Sequence, residues 1–378
     1  MSDFIGSNLR LIRHFHNMTI TELSEKVEVS KQRISYIENG TGVVSAQLLK
    51  KLSTIMNVNQ KFFFTPDLMP IGEEQCHFRS QYTTKIALRQ FAKSKGDMLK
   101  RFVNTIDQKV YLPKFDMSKI EVNNINNIES IELVAEKFRS FFGLGFGPLS
   151  NITRIVENAG VVVFKIDLND NLTQTKKVDA LSFATQRPII VLNKFGVSAC
   201  RERFGIAHEL GHLLLHIGVL TGDRITETQA NRFASAVLLP RSTLANEFSK
   251  ALRGNRIHWE GLSELKYRWK ISKSALIYRA RQLGFISEEQ AMTGYIKLKR
   301  NGEALQENED VNINSENPEL IVESLKMLNS ELGITLDDIA NEMHIGQKLL
   351  SDFLDLPTTS LKLNTKKTTK TSNVANDN

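Results

Sequence analysis

The 378-residue chain has only two cysteines, Cys76 and Cys200. Two thiols cannot form a disulfide scaffold, so the sequence points to a reducing compartment. No run of about 18 apolar residues occurs, so no transmembrane helix is expected. The first residues carry no basic-then-apolar signal and lead straight into a helical pattern. Together these absences predict a cytoplasmic protein. An excess of one charge is small as well. The formal net charge is +7 and the pI is near 9.2, a basic surplus that suits a nucleic-acid partner without requiring one. The length accommodates two to four domains.

Against that background stands His208-Glu209-Leu210-Gly211-His212, a match to H-E-x-x-H. Residues four apart lie on one helix face, one turn above each other. His208 and His212 can therefore grip one metal ion from one side, with Glu209 beside that face. Two neutral imidazoles and an open position describe a catalytic zinc site rather than a closed structural one. Zinc acidifies a water molecule and Glu209 takes its proton as general base, which usually ends in hydrolysis of a peptide bond. Ile206, Leu210, Leu213 and Leu214 follow helical spacing, so the motif lies on a helix with a buried side. The plainer reading, a core helix with two satisfied histidines, leaves a charged Glu209 on a buried helix, which is costly unless paired.

A third ligand is needed. Ala230, Phe233, Ala234 and Val237 mark a second amphipathic helix that ends before Pro240, and Glu227 and Asn231 share one of its faces. Glu227 suits a metal ligand, and Asn231 can fix the tautomer of a ligand histidine. The rival is His216, one turn beyond His212. Gly218 stands where an extended H-E-x-x-H-x-x-G-x-x-H pattern would require a third histidine, so that zinc class is excluded. If Glu227 is the ligand, His216 supports a ligand, faces substrate, or ends the helix in water.

The string from Arg203 to His212, then Glu227-x-x-Ala230-Asn231-x-Phe233-Ala234 and Leu238-Leu239-Pro240, resembles the ImmA/IrrE metallopeptidases. The resemblance extends to Gly160-Val161-Val162-Val163-Phe164, to Ile189-Ile190-Val191-Leu192-Asn193 and to residues 265–272, in all roughly residues 130–290. It implies a zincin-like fold, a zinc cofactor and cleavage of a partner protein, often a DNA-binding repressor. Asp179-Ala180-Leu181-Ser182 departs from the family, which tends to have glycine after the aspartate.

Apolar, β-branched runs at 161–166 and 188–192 read as short strands. An exposed edge strand beside the metal could bind an extended peptide through main-chain hydrogen bonds. The 188–192 segment is the candidate edge, with an interior position as the alternative. Arg203 could face substrate or form a surface ion pair.

The N-terminal residues read as short helices. A capped start at Met18-Thr19 opens one, Glu28-Val29-Ser30 makes a tight turn, and residues 31–39 form a second that ends at Gly40. Met18-Thr19-x-x-Glu22-Leu23-Ser24, Val29-Ser30 and Ile34-Ser35-x-x-Glu38-x-Gly40 resemble the XRE (Cro/C1-type) helix-turn-helix domains. The resemblance implies that the second helix enters the major groove of double-stranded DNA, with Lys31, Gln32, Arg33 and Ser35 as the polar candidates for base and phosphate contact. Ile20 stands where the family commonly has a phosphate-contacting glutamine, which suggests weaker or altered DNA binding. A helical module that has turned to protein contact is the other reading.

The expected organisation is α+β. A helix-turn-helix domain spans 1–66, a helical connecting region 67–129 and a metallopeptidase domain with a small sheet 130–292. A linker and small helical module follow at 293–357, then a disordered tail at 358–378. Cys76 and His77 are adjacent, which is poor ligand geometry, and are read as structural. Residues 84–106 read as a long helix and 311–318 as a linker. Residues 331–354 echo the first helix-turn-helix, but Asp337, Asp338 and Glu342 favour a protein-contact role. Two functions remain: a regulatory zinc endopeptidase tethered to DNA, or a transcription factor whose zincin-like domain is a non-catalytic sensor or partner-binding module. The oligomeric state is left open, a dimer included.

Overall fold

A computed structural model describes residues 3–66, 70–78, 86–117, 120, 122, 127–168, 179–195 and 197–355. The tail expected to be disordered lies outside them. Among the described residues no helix is long and apolar enough to cross a membrane.

The chain opens with four helices: α1 (Gly6–Phe15), α2 (Ile20–Val27), α3 (Lys31–Glu38) and α4 (Ala46–Met56). Each of the two turn-flanking helices has a physical start signal. Thr19 and Glu22 close a reciprocal capping box on α2, and the Ser30 hydroxyl accepts from Arg33 N at the start of α3. Glu28 between them sits in the left-handed region at φ 60°. Arg13 on α1 makes a buried bidentate pair with Glu38 on α3, at 2.6 and 2.9 Å, which fixes α3 against the body.

The strand β1 (Cys76–Phe78) and the long α5 (Ile86–Asp107) come next, then α6 (Ile128–Phe141) and α7 (Ile152–Asn158). Three further strands, β2 (Val162–Ile166), β3 (Ala180–Phe183) and β4 (Ile189–Asn193), complete a sheet of order β1-β3-β4-β2. β2 runs parallel to β4, and β3 runs antiparallel to both β4 and β1. The 188–192 run is therefore not the edge that peptide binding would need. It is interior, paired on both sides, and its unbroken apolar sequence reflects burial on both faces. The edges are β1 and β2. Nor is the connector purely helical, since it supplies β1.

Alternation along the strands divides the sheet. Val162, Phe164, Leu181, Phe183, Ile189 and Val191 join a core with α5 and the N-terminal helices. Val163, Ala180, Ile190 and Leu192 join a second core with α8 (Ala199–Leu215) and α9 (Arg224–Leu238). Gly96 lets α5 approach this closely, because a Cβ there would lie 2.3 Å from the Phe183 ring.

The chain continues through α10 (Arg241–Glu247), a hairpin of β5 (Leu252–Arg253) and β6 (Arg256–Ile257), α11 (Trp259–Trp269), α12 (Lys273–Gln282) and α13 (Glu288–Arg300). Lys266, fully buried, holds Glu307 and Asp310 at 2.6 Å each, and Lys273 pairs with Glu303. These pairs fix the segment after α13 beside α12. The expected linker 311–318 is pinned in turn. Arg203 pairs with Glu316 and donates to Leu149 O, so its ion pair is buried rather than on the surface.

Three final helices, α14 (Leu320–Leu332), α15 (Leu336–Glu342) and α16 (Gln347–Leu354), repeat α1–α3 position for position. Thr335 caps α15 as Thr19 caps α2, and His344 (φ 58°) matches Glu28. Ile339, Met343, Leu350 and Phe353 are buried where Leu23, Val27, Ile34 and Ile37 are. The repeat rests on the first unit. Gly346 N donates to Asn57 O, Asn59 N donates to His344 O, and the Phe353 ring meets Phe15 edge-on.

Arg279 on α12 is fully buried, donates twice to Glu132 on α6 and reaches Leu239 O after α9. Arg232 also pairs with Glu132 at 2.5 Å. Glu132→Ala strands two cations in the interior and is expected to cost about 3–5 kcal/mol. Urea unfolding of the full chain checks this, and a loss under about 1 kcal/mol would contradict the role given to the pair.

Candidate metal centre and nucleic-acid interface

α8 starts at Ser198 and is buried along its length, because the sheet covers one side and α9 another. α9 starts at Asp223, whose carboxylate accepts from Ile225 N and Thr226 N. Gly211 allows the two helices to touch, since a Cβ there would sit 3.1 Å from the Phe233 ring and 3.3 Å from Ala230. This contact sets the first turns of α9 against the middle of α8.

The result brings His208, His212 and Glu227 together, with one donor atom of each within 4.8 Å of the others. His208 Nε2 and His212 Nε2 are 3.0 Å apart. Glu227 Oε2 lies 3.5 Å from the first and Oε1 3.3 Å from the second. Asn231, one turn beyond Glu227, places Oδ1 3.0 Å from His208 Nδ1. His216 does not join the cluster. Its Nδ1 meets His212 Nδ1 at 3.0 Å and its Nε2 meets Gln229 Oε1 at 2.9 Å. It is 1% exposed, so it does not end the helix in water.

These contacts fix the protons. With the amide oxygens as acceptors, His208 carries its proton on Nδ1, facing Asn231. His216 carries its proton on Nε2, facing Gln229, so its Nδ1 must accept from His212 Nδ1. Both His208 and His212 then turn bare Nε2 lone pairs toward each other. Glu227 Oε1 is buried beside them and has no hydrogen-bond donor. Two lone pairs and an unpaired carboxylate oxygen repel one another unless a cation lies between them. The donor set of two imidazoles and one carboxylate fits zinc. Burial lowers the His212 pKa to about 4, which keeps that ligand imidazole in the neutral, coordinating form, and it also lowers the pKa of His216.

Glu209 is 2% exposed, and its Oε2 accepts from Ser182 Oγ at 2.6 Å. Ser182 lies on β3, on the face that packs toward α8. A cavity of about 320 Å³ opens beside this point, lined by His208, Glu209, Asn231, Ala180, Tyr278 and Tyr295 among others. Ser182, Gln229 and the two tyrosines carry no motif that marks them as site residues in the sequence. For Ser182 a weak signal exists, since Ala180 and Ser182 are small residues at period two within an apolar strand.

In the N-terminal unit, Lys31, Gln32 and Arg33 are exposed on the first turn of α3 and Ser35 is half-buried. Ile34, Ile37 and Glu38 face the core, so the polar face points outward. Ile20 packs against the hydrophobic core instead of presenting a polar group.

Family models match both regions, a helix-turn-helix model over residues 9–59 and an IrrE N-terminal-like domain model, of the M78 peptidases, over residues 156–281. An HTH-type transcriptional regulator of Sinorhizobium medicae is 30% identical over 116 residues, covering 30% of this chain and 84% of that protein. One of Rhizobium meliloti gives the same figures. One of Sinorhizobium fredii is 27% identical over 108 residues, 28% of this chain and 76% of the relative. With the fold and the converging side chains above, these matches show that the chain belongs to the DNA-binding helix-turn-helix regulators that carry an ImmA/IrrE-like M78 peptidase domain.

Proposed function

We propose that the chain is a zinc endopeptidase tethered to DNA, working in the cytoplasm, that hydrolyses a peptide bond in a partner protein such as a transcriptional repressor or an antitoxin-like protein. The observation that carries this reading is the pair of bare imidazole nitrogens converging with Glu227 beside a buried Glu209. His208, His212 and Glu227 would hold the zinc, which when bound polarises the scissile carbonyl and makes water a better nucleophile. Glu209 accepts the proton of the attacking water and returns it to the leaving amine. Ser182 donates to Glu209 Oε2, which orients the carboxylate for that transfer. Asn231 and the His216–Gln229 pair keep the two ligand imidazoles in their coordinating tautomers. The cleft beside Tyr278 and Tyr295 receives the peptide.

A second reading is a transcription factor whose zincin-like domain senses a ligand or binds a partner. It is favoured by the relatives, which are described as transcriptional regulators. Glu209→Gln separates the two. It keeps the size of the side chain, and zinc content is expected to stay unchanged because Glu209 is not a ligand. Hydrolysis of the cognate partner is expected to fall at least about 10²-fold. Equal partner levels and equal transcriptional responses in cells carrying wild type and Glu209→Gln would overturn the protease reading.

For the N-terminal unit, α3 reads the major groove and Arg33 contacts phosphate or guanine. Arg33→Ala is expected to weaken binding by about 1–3 kcal/mol, and Gln32→Ala to relax sequence preference. Affinity should fall steeply with salt through counterion release. Titration of the full chain on duplexes from its own locus at two salt concentrations checks this. Affinity independent of salt, or unaffected by Arg33→Ala, would turn the unit into a protein-contact module.

A further inference from the structure

The edge of β3 is the natural place for a peptide to add to this sheet. It lies beside Glu209, and an extended chain there would gain main-chain hydrogen bonds while passing the candidate ligands. β1 already holds that edge. Cys76, His77 and Phe78 pair antiparallel with Phe183, Ser182 and Leu181. Gln75 adds two bonds, its carbonyl accepting from Ala184 N at 2.8 Å and its side-chain amide donating to Ala184 O at 3.0 Å. The opposite edge, β2, packs against α7, α14 and α16.

Directly opposed residues on paired strands point to the same face. Ser182 points to Glu209, so His77 points there too. Its ring lies flat on that of His212, with centroids 5.3 Å apart and planes 8° apart. Thr221 Oγ1 holds Nδ1 at 2.9 Å. Nε2 is buried and has no hydrogen-bond partner among the described residues. A strand that served only to complete the sheet would gain nothing from an unpaired buried imidazole nitrogen, which costs free energy where it stands.

We infer that residues 76–78 form an internal substrate-mimicking strand. It fills the peptide-adding edge of β3 and lays His77 over the ligand His212, so the chain as folded is closed to its substrate. This rests on the zinc-peptidase reading above. The strand is short, which makes it displaceable. It is also tethered, because Ile71 just before it is buried in the N-terminal core and its amide donates to Asp97 at 3.0 Å. A tether keeps the local concentration of β1 high, so a free peptide competes poorly and basal proteolysis is low. The cavity beside Ala180 leaves the far end of β3 approachable, and a partner that gains purchase there can peel β1 away.

The test uses the zinc-loaded full chain as wild type, His77→Ala and Gln75→Ala. Gln75 is half-buried and outside the core, so its variant guards against a His77→Ala protein that fails to fold. Three quantities are read: the rate of zinc removal by dipicolinate, hydrogen exchange of the Ser182 and Ala184 amides, which face the β1 segment, and cleavage of reduced, carboxymethylated casein. His77→Ala is expected to raise all three about 10-fold with zinc content unchanged, and Gln75→Ala to raise them about 3-fold, as a shifted closed–open equilibrium requires. If zinc release and exchange rise while casein stays intact in every protein, the strand closes the site and the protease reading fails instead. Unchanged zinc release and exchange in both variants, or loss of zinc in His77→Ala, would overturn the inference.

Discussion

Two imidazole nitrogens with bare lone pairs, held 3.0 Å apart in a buried wedge between α8 and α9, are the constraint around which this protein is built. Such an arrangement is unstable by itself. It persists because each imidazole is locked from behind, His208 by Asn231 and His212 by His216, which Gln229 locks in turn. The helices cannot drift apart, because Gly211 brings them into contact and the Arg279–Glu132–Arg232 cluster ties α6, α9 and α12 together. The sheet and its second layer bury both rings. The preorganisation is thus distributed over three layers, and the cation-shaped gap is its outcome.

The two functional regions share that architecture more closely than a linear domain map suggests. α5 packs against α1 on one side and lies under the sheet on the other. The final three helices repeat the helix-turn-helix backbone yet lean on the first copy through α4 and Phe15. Their exposed acidic residues Asp337, Asp338 and Glu342 suit a phosphate surface poorly. The peptidase sheet therefore has its back against the N-terminal body, and its edge strand is drawn from the segment that joins them.

How much of this could be read from the chain alone divides along contact range. The helical spacing of His208 with His212, and of Glu227 with Asn231, is local, and periodicity carries it. The caps at Thr19 and Ser30 are local too. By contrast, the pairing of β1 with β3 joins residues about a hundred positions apart through backbone hydrogen bonds that no side-chain pattern announces. Cys76 and His77 read as structural because neighbours on one helix face make poor ligand geometry, whereas they lie on a strand and point to opposite faces. The 188–192 run leaves edge and interior positions both open, because an interior strand buried on both faces and a short apolar edge strand look alike in sequence, and the sheet order decides for the interior. Arg203 is a surface arginine by composition and becomes a buried one only because residue 316 returns to meet it.

The measurement that bears most directly on this account is metal content together with ligand identity. Elemental analysis and X-ray absorption on the purified full chain are expected to give one zinc per chain, with nitrogen and oxygen donors at about 2.0–2.2 Å and no sulfur. Glu227→Ala should lose most of it, whereas His216→Ala should keep stoichiometric zinc with about 10–100-fold weaker affinity. Full zinc occupancy in Glu227→Ala, or a sulfur donor in the wild type, would contradict the centre described here.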